Sequence, residues 1–144
     1  MPAILLQTHN ILRWAILILG VIALVKAAQG LSGDRPYAPT RRIGLFFTSA
    51  LHLQLLLGLG LFGVSPFMKA AMADMQATMA DSSVRFFIAE HPTLMIVGTI
   101  LMTIGGIVAK NAATDAARHK KLLIFVGITL ALILAGIPWQ RPLI

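Results

Sequence analysis

The sequence predicts an all-α integral membrane protein, a four-helix bundle running up-down-up-down with one short amphipathic helix between the second and third spans. Three observations carry this. The chain is too apolar for a soluble domain of 144 residues, being 58% hydrophobic and 12% charged with a mean hydropathy of +0.85. Apolar stretches recur at about 3–28, 43–64, 84–108 and 122–138, each near the length a bilayer requires. The charged residues collect at the ends of those stretches. Residues 1–144 therefore form a single membrane domain, in which short links make consecutive helices antiparallel.

The second span is the plainest of the four. Ile43 to Val64 has no charged residue, and its 22 residues cover roughly 33 Å at about 1.5 Å each. His52 lies about 15 Å along it from Arg42, a depth at which an ionisable side chain is costly enough to mark a candidate site. The first span, from Ala3 to about Ala28, is interrupted by Gln7, His9, Asn10, Arg13 and Lys26. It lacks the basic start and the cleavage site of a signal peptide and is expected to stay in the protein. Gly30 to Thr40, rich in Gly and Pro, reads as a loop.

Between Phe67 and Ser83, Met68, Met72, Met75 and Met79 recur at steps of four, three and four, which puts them on one helical face. That pattern predicts an amphipathic helix over about 67–81, lying along the membrane surface or folded back on the bundle. Ser82 or Ser83 is the expected cap of the third span. Glu90-His91-Pro92 near its start predicts either that the span begins at Pro92 or that the helix kinks there. Lys110 to Lys121 reads as a polar connection whose Thr114-Asp115 caps a helix. The fourth span, from Leu122 to Ile137, is closed at the interface by Pro138-Trp139.

Charge sets the orientation. Lys26, Arg35, Arg41 and Arg42 flank the first link and Lys110, Arg118, Lys120 and Lys121 the third, against only Arg13, Lys69, Arg85 and Arg141 on the other side. The excess of basic residues in cytoplasmic loops then places both termini and the Met-bearing helix outside the cytoplasm. The net charge of +7 thus concerns topology, and without a basic stripe interleaved with aromatics it does not point to nucleic acid. The absence of cysteine excludes disulfides, iron–sulfur clusters, thiolate zinc sites and covalent c-type haem. His, Met and carboxylate remain as ligands.

One histidine lies in or beside each span, and their depths can be compared. His9 precedes Lys26 by 17 residues and His91 precedes Lys110 by 19, which sets them about 26 and 28 Å from the cytoplasmic edge, level with each other. His52 is near the midplane. His119, beside Lys120, is expected to be a solvated interfacial residue. His9 shares a face with Arg13, Ile16, Gly20 and Ala23; His91 with Met95, Gly98, Met102 and Gly105; His52 with Gly44, Thr48, Leu56 and Gly63. Small residues serve helix association whether or not anything is bound, and they also leave room for a flat macrocycle. A lone histidine in a span commonly does no more than hydrogen-bond a neighbouring helix. Four imidazoles with no carboxylate cluster nonetheless suit haem iron better than hydrolytic zinc.

His9 with His91 is the preferred ligand pair, and His52 with His91 the second choice. A further haem on His52 and His119 would require a strongly tilted plane. Arg13, one turn from His9, is expected to meet a propionate or to extend towards water. Arg85 is the better placed cation for a propionate, while Glu90 is expected to cap. The methionine stripe is expected to pack, although soft thioethers at that spacing also suit Cu(I).

His9-Asn10-Ile11-Leu12-Arg13-Trp14, His52-Leu53-Gln54-Leu55-Leu56-Leu57-Gly58, Glu90-His91-Pro92, His119-Lys120-Lys121 and Ile137-Pro138-Trp139 resemble stretches of small bacterial four-helix membrane proteins labelled cytochrome b. The resemblance spans nearly the whole chain, the Met-rich helix excepted. It implies non-covalent haem b, one or two per chain, held between histidines in the bacterial inner membrane. Electrons would then pass between a quinol and a partner redox protein, with a quinone site in reach. Two other classes stay open: an accessory subunit of a respiratory or other membrane complex, homo-oligomeric or in a larger assembly, and a copper-handling protein built on the Met-rich helix.

Overall fold

Long apolar runs favour helices, because each backbone donor and acceptor is then satisfied within its own segment. The structure, a computed structural model, describes residues 2–32 and 34–141, and among them it contains helices and short links but no strand. α1 spans Pro2–Gln29 and continues into a 3-10 turn at Gly30–Ser32; α2 spans Tyr37–Val64. Two short helices follow, α3 (Pro66–Ala73) and α4 (Met75–Ala80). The third long helix starts as α5 (Ser82–Arg85), passes through a π turn at Phe86–Glu90 and continues as α6 (His91–Lys110); α7 spans Asp115–Gly136. Four continuous helical stretches, Ala3–Ser32, Tyr37–Val64, Ser82–Lys110 and Asp115–Gly136, are long and apolar enough to cross a membrane.

These helices close on one another, α1 against α2 and α7, and α6 against α7 and α2. Ile16, Phe47, Met102, Leu122 and Val126 fill the middle. Close approach depends on small residues: a side chain on Gly105 would run into Phe125, and one on Gly20 into Leu130 and Phe47. Polarity is inverted relative to a water-soluble bundle. Arg13, Thr40, Thr99, His119 and Thr129 are buried, whereas Ile11, Ile18, Leu45, Leu56, Ile100, Ile107, Ile124 and Ile128 face outward. Such a surface suits lipid and would be an aggregation hazard in water.

Several helix ends fall elsewhere than hydropathy places them. α2 begins at Tyr37 inside the expected loop, and α7 begins at Asp115 inside the expected polar connection, where Thr114 Oγ1 accepts from the Ala117 amide at 3.1 Å. The cap of α5 is Asp81, which accepts from the Ser83 and Val84 amides at 2.9 and 3.3 Å, and neither Ser82 nor Ser83 takes that role. The expected single helix over 67–81 is broken at Asp74, whose carboxylate accepts from the Ala77 amide at 3.0 Å and starts α4. Its buried side is Ala71 and Thr78, joined by a 2.7 Å bond from Thr78 Oγ1 to the Ala71 carbonyl, while Met72, Met75 and Met79 are exposed and do not pack as expected. At Pro92 the helix neither starts nor stops. The His91 amide bonds to the Phe86 carbonyl, five residues back, and this wider turn relieves the clash a proline ring makes with the carbonyl four residues before it.

Candidate functional site

A cavity of about 350 Å³ lies among the four long helices, reaching from Ala3, Ser65 and Arg141 at one end to Ile16, Leu51 and Thr99. From Ala3 to Ile16 is roughly 20 Å of helix, so the space is long and narrow. Its walls are mostly apolar, interrupted by His9, Asn10, Arg13, Gln54, His91 and Arg141. A few convergent polar groups on an apolar wall are what small-molecule sites have in common.

His9 from α1 and His91 from α6 meet in this cavity, their ring centroids 6.3 Å apart and their planes at 68°. His91 Nδ1 lies 2.6 Å from the Gly136 carbonyl oxygen at the end of α7. A carbonyl can only accept, so Nδ1 carries the hydrogen and Nε2 keeps its lone pair. Proteins orient metal-binding histidines in this way, through a backbone carbonyl on the second nitrogen. Gly136 lets α7 pack closely on α6 here, since a Cβ there would lie 3.3 Å from Leu94 Cβ. Phe86 and Phe87 flank the His91 ring at 6.2 and 6.4 Å.

On the other side, Gln54 Nε2 donates to the His9 carbonyl at 2.8 Å and ties α2 to α1 at this level. Gly58 leaves His9 its space, since a Cβ there would lie 3.3 Å from His9 Cε1. His9 Nδ1 and Gln54 Oε1 are buried without a hydrogen-bond partner. Each such atom costs about 1–3 kcal/mol, and two of them on one cavity wall fit a bound group. Among the described residues no three His, Cys, Asp or Glu side chains gather as a metal-binding group. Two neutral imidazoles and unpartnered polar atoms on an apolar wall are a donor set that a haem iron could use.

The remaining candidates are placed differently. Arg13 is buried on the cavity wall, its guanidinium 5.5 Å from the Trp14 ring centroid. Arg85 is not on that wall: its Nε donates to Glu90 Oε1 at 2.8 Å and its Nη1 to the Met79 carbonyl at 3.3 Å. Glu90, expected to cap, makes no side-chain capping bond and serves as this ion-pair partner. The cation at the cavity's end is Arg141, over the rings of Phe87 at 4.4 Å and Phe67 at 5.2 Å. In the sequence it counted only towards topology. Pro138, which turns the chain immediately after α7, was the one signal that Arg141 could fold back.

His52 lies outside the cavity on an exposed face, its Nε2 2.9 Å from Thr103 Oγ1. Because the Thr103 hydroxyl already donates to the Thr99 carbonyl at 2.8 Å, His52 is the donor in that pair. His119 is fully buried, contrary to the solvated position expected beside Lys120 and Lys121. Its Nδ1 bonds to the Asp115 carbonyl at 2.8 Å, its Nε2 meets Thr40 Oγ1 at 3.0 Å, and Tyr37 packs edge-on at 5.3 Å. Gly30 presses so closely on this ring that no Cβ would fit. Both nitrogens of His119 are therefore engaged, and His52 and His119 do not come together. No protein-family model matches this chain, and no curated protein or solved structure does either.

Proposed function

We propose that the chain is a four-span b-type cytochrome, up-down-up-down in the bacterial inner membrane with both termini outside the cytoplasm, binding one haem between His9 and His91. The observation that carries this is the pair of imidazoles meeting edge to face in an apolar cavity, one of them held by the Gly136 carbonyl. The haem supplies one-electron chemistry when bound. His9 and His91 hold it, and Gly58 and Gly136 keep the helices close enough for both to reach. Arg13 and Arg141 offer positive charge on the cavity wall for acidic substituents. The surrounding Leu, Ile and Phe side chains exclude water and keep the dielectric low. Electrons then pass between a quinol in the bilayer and a partner redox protein at the outer face.

The test is a pyridine haemochrome assay and an absorption spectrum on protein purified from a haem-replete host. Low-spin haem b is expected in the wild type and in His52→Ala, and its loss in His9→Ala and in His91→Ala. Absence of haem from the wild type, or loss in His52→Ala with retention in His9→Ala, overturns the proposal.

A further inference from the structure

The opposite end of the molecule holds a second concavity, of about 380 Å³, between the start of α2, the end of α6 and the start of α7. Its wall presents Arg41, Lys110 and Arg118 against a single carboxylate, Asp115. Arg118 and Asp115 satisfy each other at 2.7 Å, whereas Arg41 and Lys110 are exposed and have no carboxylate partner among the described residues. Two unneutralised cations therefore share one hollow with the Asn111 amide. The whole of this end is basic, with eight Lys and Arg against Asp34 and Asp115, while the other end has four against Asp74, Asp81 and Glu90.

The surface next to those cations is apolar and in register with them. Leu45 lies one turn beyond Arg41 on α2, and Ile107 one turn before Lys110 on α6, so each shares a face with its cation. Both are 51% exposed. Cations at the hydropathy boundary with apolar rows running away from them complement a molecule that has an anionic head and hydrocarbon tails. Inorganic phosphate would use only the first half of that surface.

We propose that this concavity binds the phosphodiester headgroup of an anionic phospholipid between Arg41 and Lys110, with its acyl chains along Leu45 and Ile107. The inference rests on the membrane part of the proposed function and not on the haem. The site is charge-selective and weakens as ionic strength rises.

The experiment titrates detergent-solubilised full-length protein with phosphatidylglycerol, phosphatidylcholine or inorganic phosphate and follows bound lipid by native mass spectrometry, with haem content measured in the same samples. Phosphatidylglycerol is expected to bind saturably and at least tenfold more tightly than phosphatidylcholine, and phosphate is expected not to displace it. The double variant Arg41→Gln/Lys110→Gln is expected to lose most of that preference. Lys69→Gln, at the other end, is expected to keep it. Arg41 and Lys110 are exposed, so the variants fold, and helical circular dichroism together with the single variants verifies this. Equal binding of the two lipids, an unchanged double variant, or displacement by phosphate overturns the proposal. Loss of haem without loss of lipid preference strikes only the cytochrome reading.

Discussion

Thr40→Val separates a structural His119 from a ligating one. Thr40 and His119 are 5% and 0% exposed, and Thr40 Oγ1 lies 3.0 Å from His119 Nε2. Because His119 Nδ1 already gives its hydrogen to the Asp115 carbonyl, Nε2 is the acceptor and the threonine hydroxyl the donor. Valine keeps the shape and removes the donor, leaving a buried nitrogen unsatisfied. The penalty for such an atom is about 1–3 kcal/mol, and a midpoint of about 2 kcal/mol corresponds to roughly a thirtyfold shift in the folding equilibrium. Thr40→Ser keeps the hydroxyl and loses one methyl group, a change worth about 0.5–1.5 kcal/mol. The assay is reversible denaturation of the detergent-solubilised protein followed by circular dichroism. Valine is expected to be clearly the more damaging, and His119→Leu should abolish most of the difference between the two Thr40 variants. Valine no worse than serine would refute the hydrogen-bond assignment, and a changed haem spectrum in Thr40→Val would place His119 at iron.

Three further outcomes follow from the packing and the charges. Gly105→Val, which drives side-chain atoms into Phe125, should destabilise by about 1–3 kcal/mol, whereas Gly106→Ala, with nothing within 4 Å of its Cβ position, should be neutral or stabilising in the same denaturation assay. Replacing Met68, Met72, Met75 and Met79 together by Leu should leave copper retention unchanged on metal analysis, because the break at Asp74 divides them between two short helices. A reporter fused at the C-terminus that is active only outside the cytoplasm should be active, as the distribution of Lys and Arg requires.

The long helices were legible because a membrane asks little more of them than length and apolarity, and hydropathy measures both. Their ends were not, because hydropathy reports contact with lipid and is silent on where a helix starts. Asp115 to Lys121 is polar yet helical behind the Thr114 cap, and Tyr37 to Arg42 likewise precedes the apolar part of α2. His9 and His91 could be set level by counting residues from the basic edge, since rise per residue is nearly constant. The environment of His119 could not be read from Lys120 and Lys121. Successive residues on a helix point about 100° apart, so charged neighbours in sequence say nothing about the inward face.

The pairing of Arg85 has its physical origin in Pro92. In a regular α-helix Arg85 and Glu90, five apart, point to well-separated directions, and only i,i+3 and i,i+4 pairs meet. The π turn that accommodates Pro92 spans Phe86–Glu90 and brings the fifth residue round to the first, so the Arg85 Nε to Glu90 Oε1 bond of 2.8 Å is a consequence of that turn. The same widening explains why Phe86 and Phe87 stand at nearly equal distances from His91, where an ordinary turn would favour Phe87, four residues back. Arg141 reaches one of those rings, Phe87, from the chain beyond α7. A proline one residue after the candidate ligand thus accounts both for the aromatic walls of His91 and for the partner of Arg85.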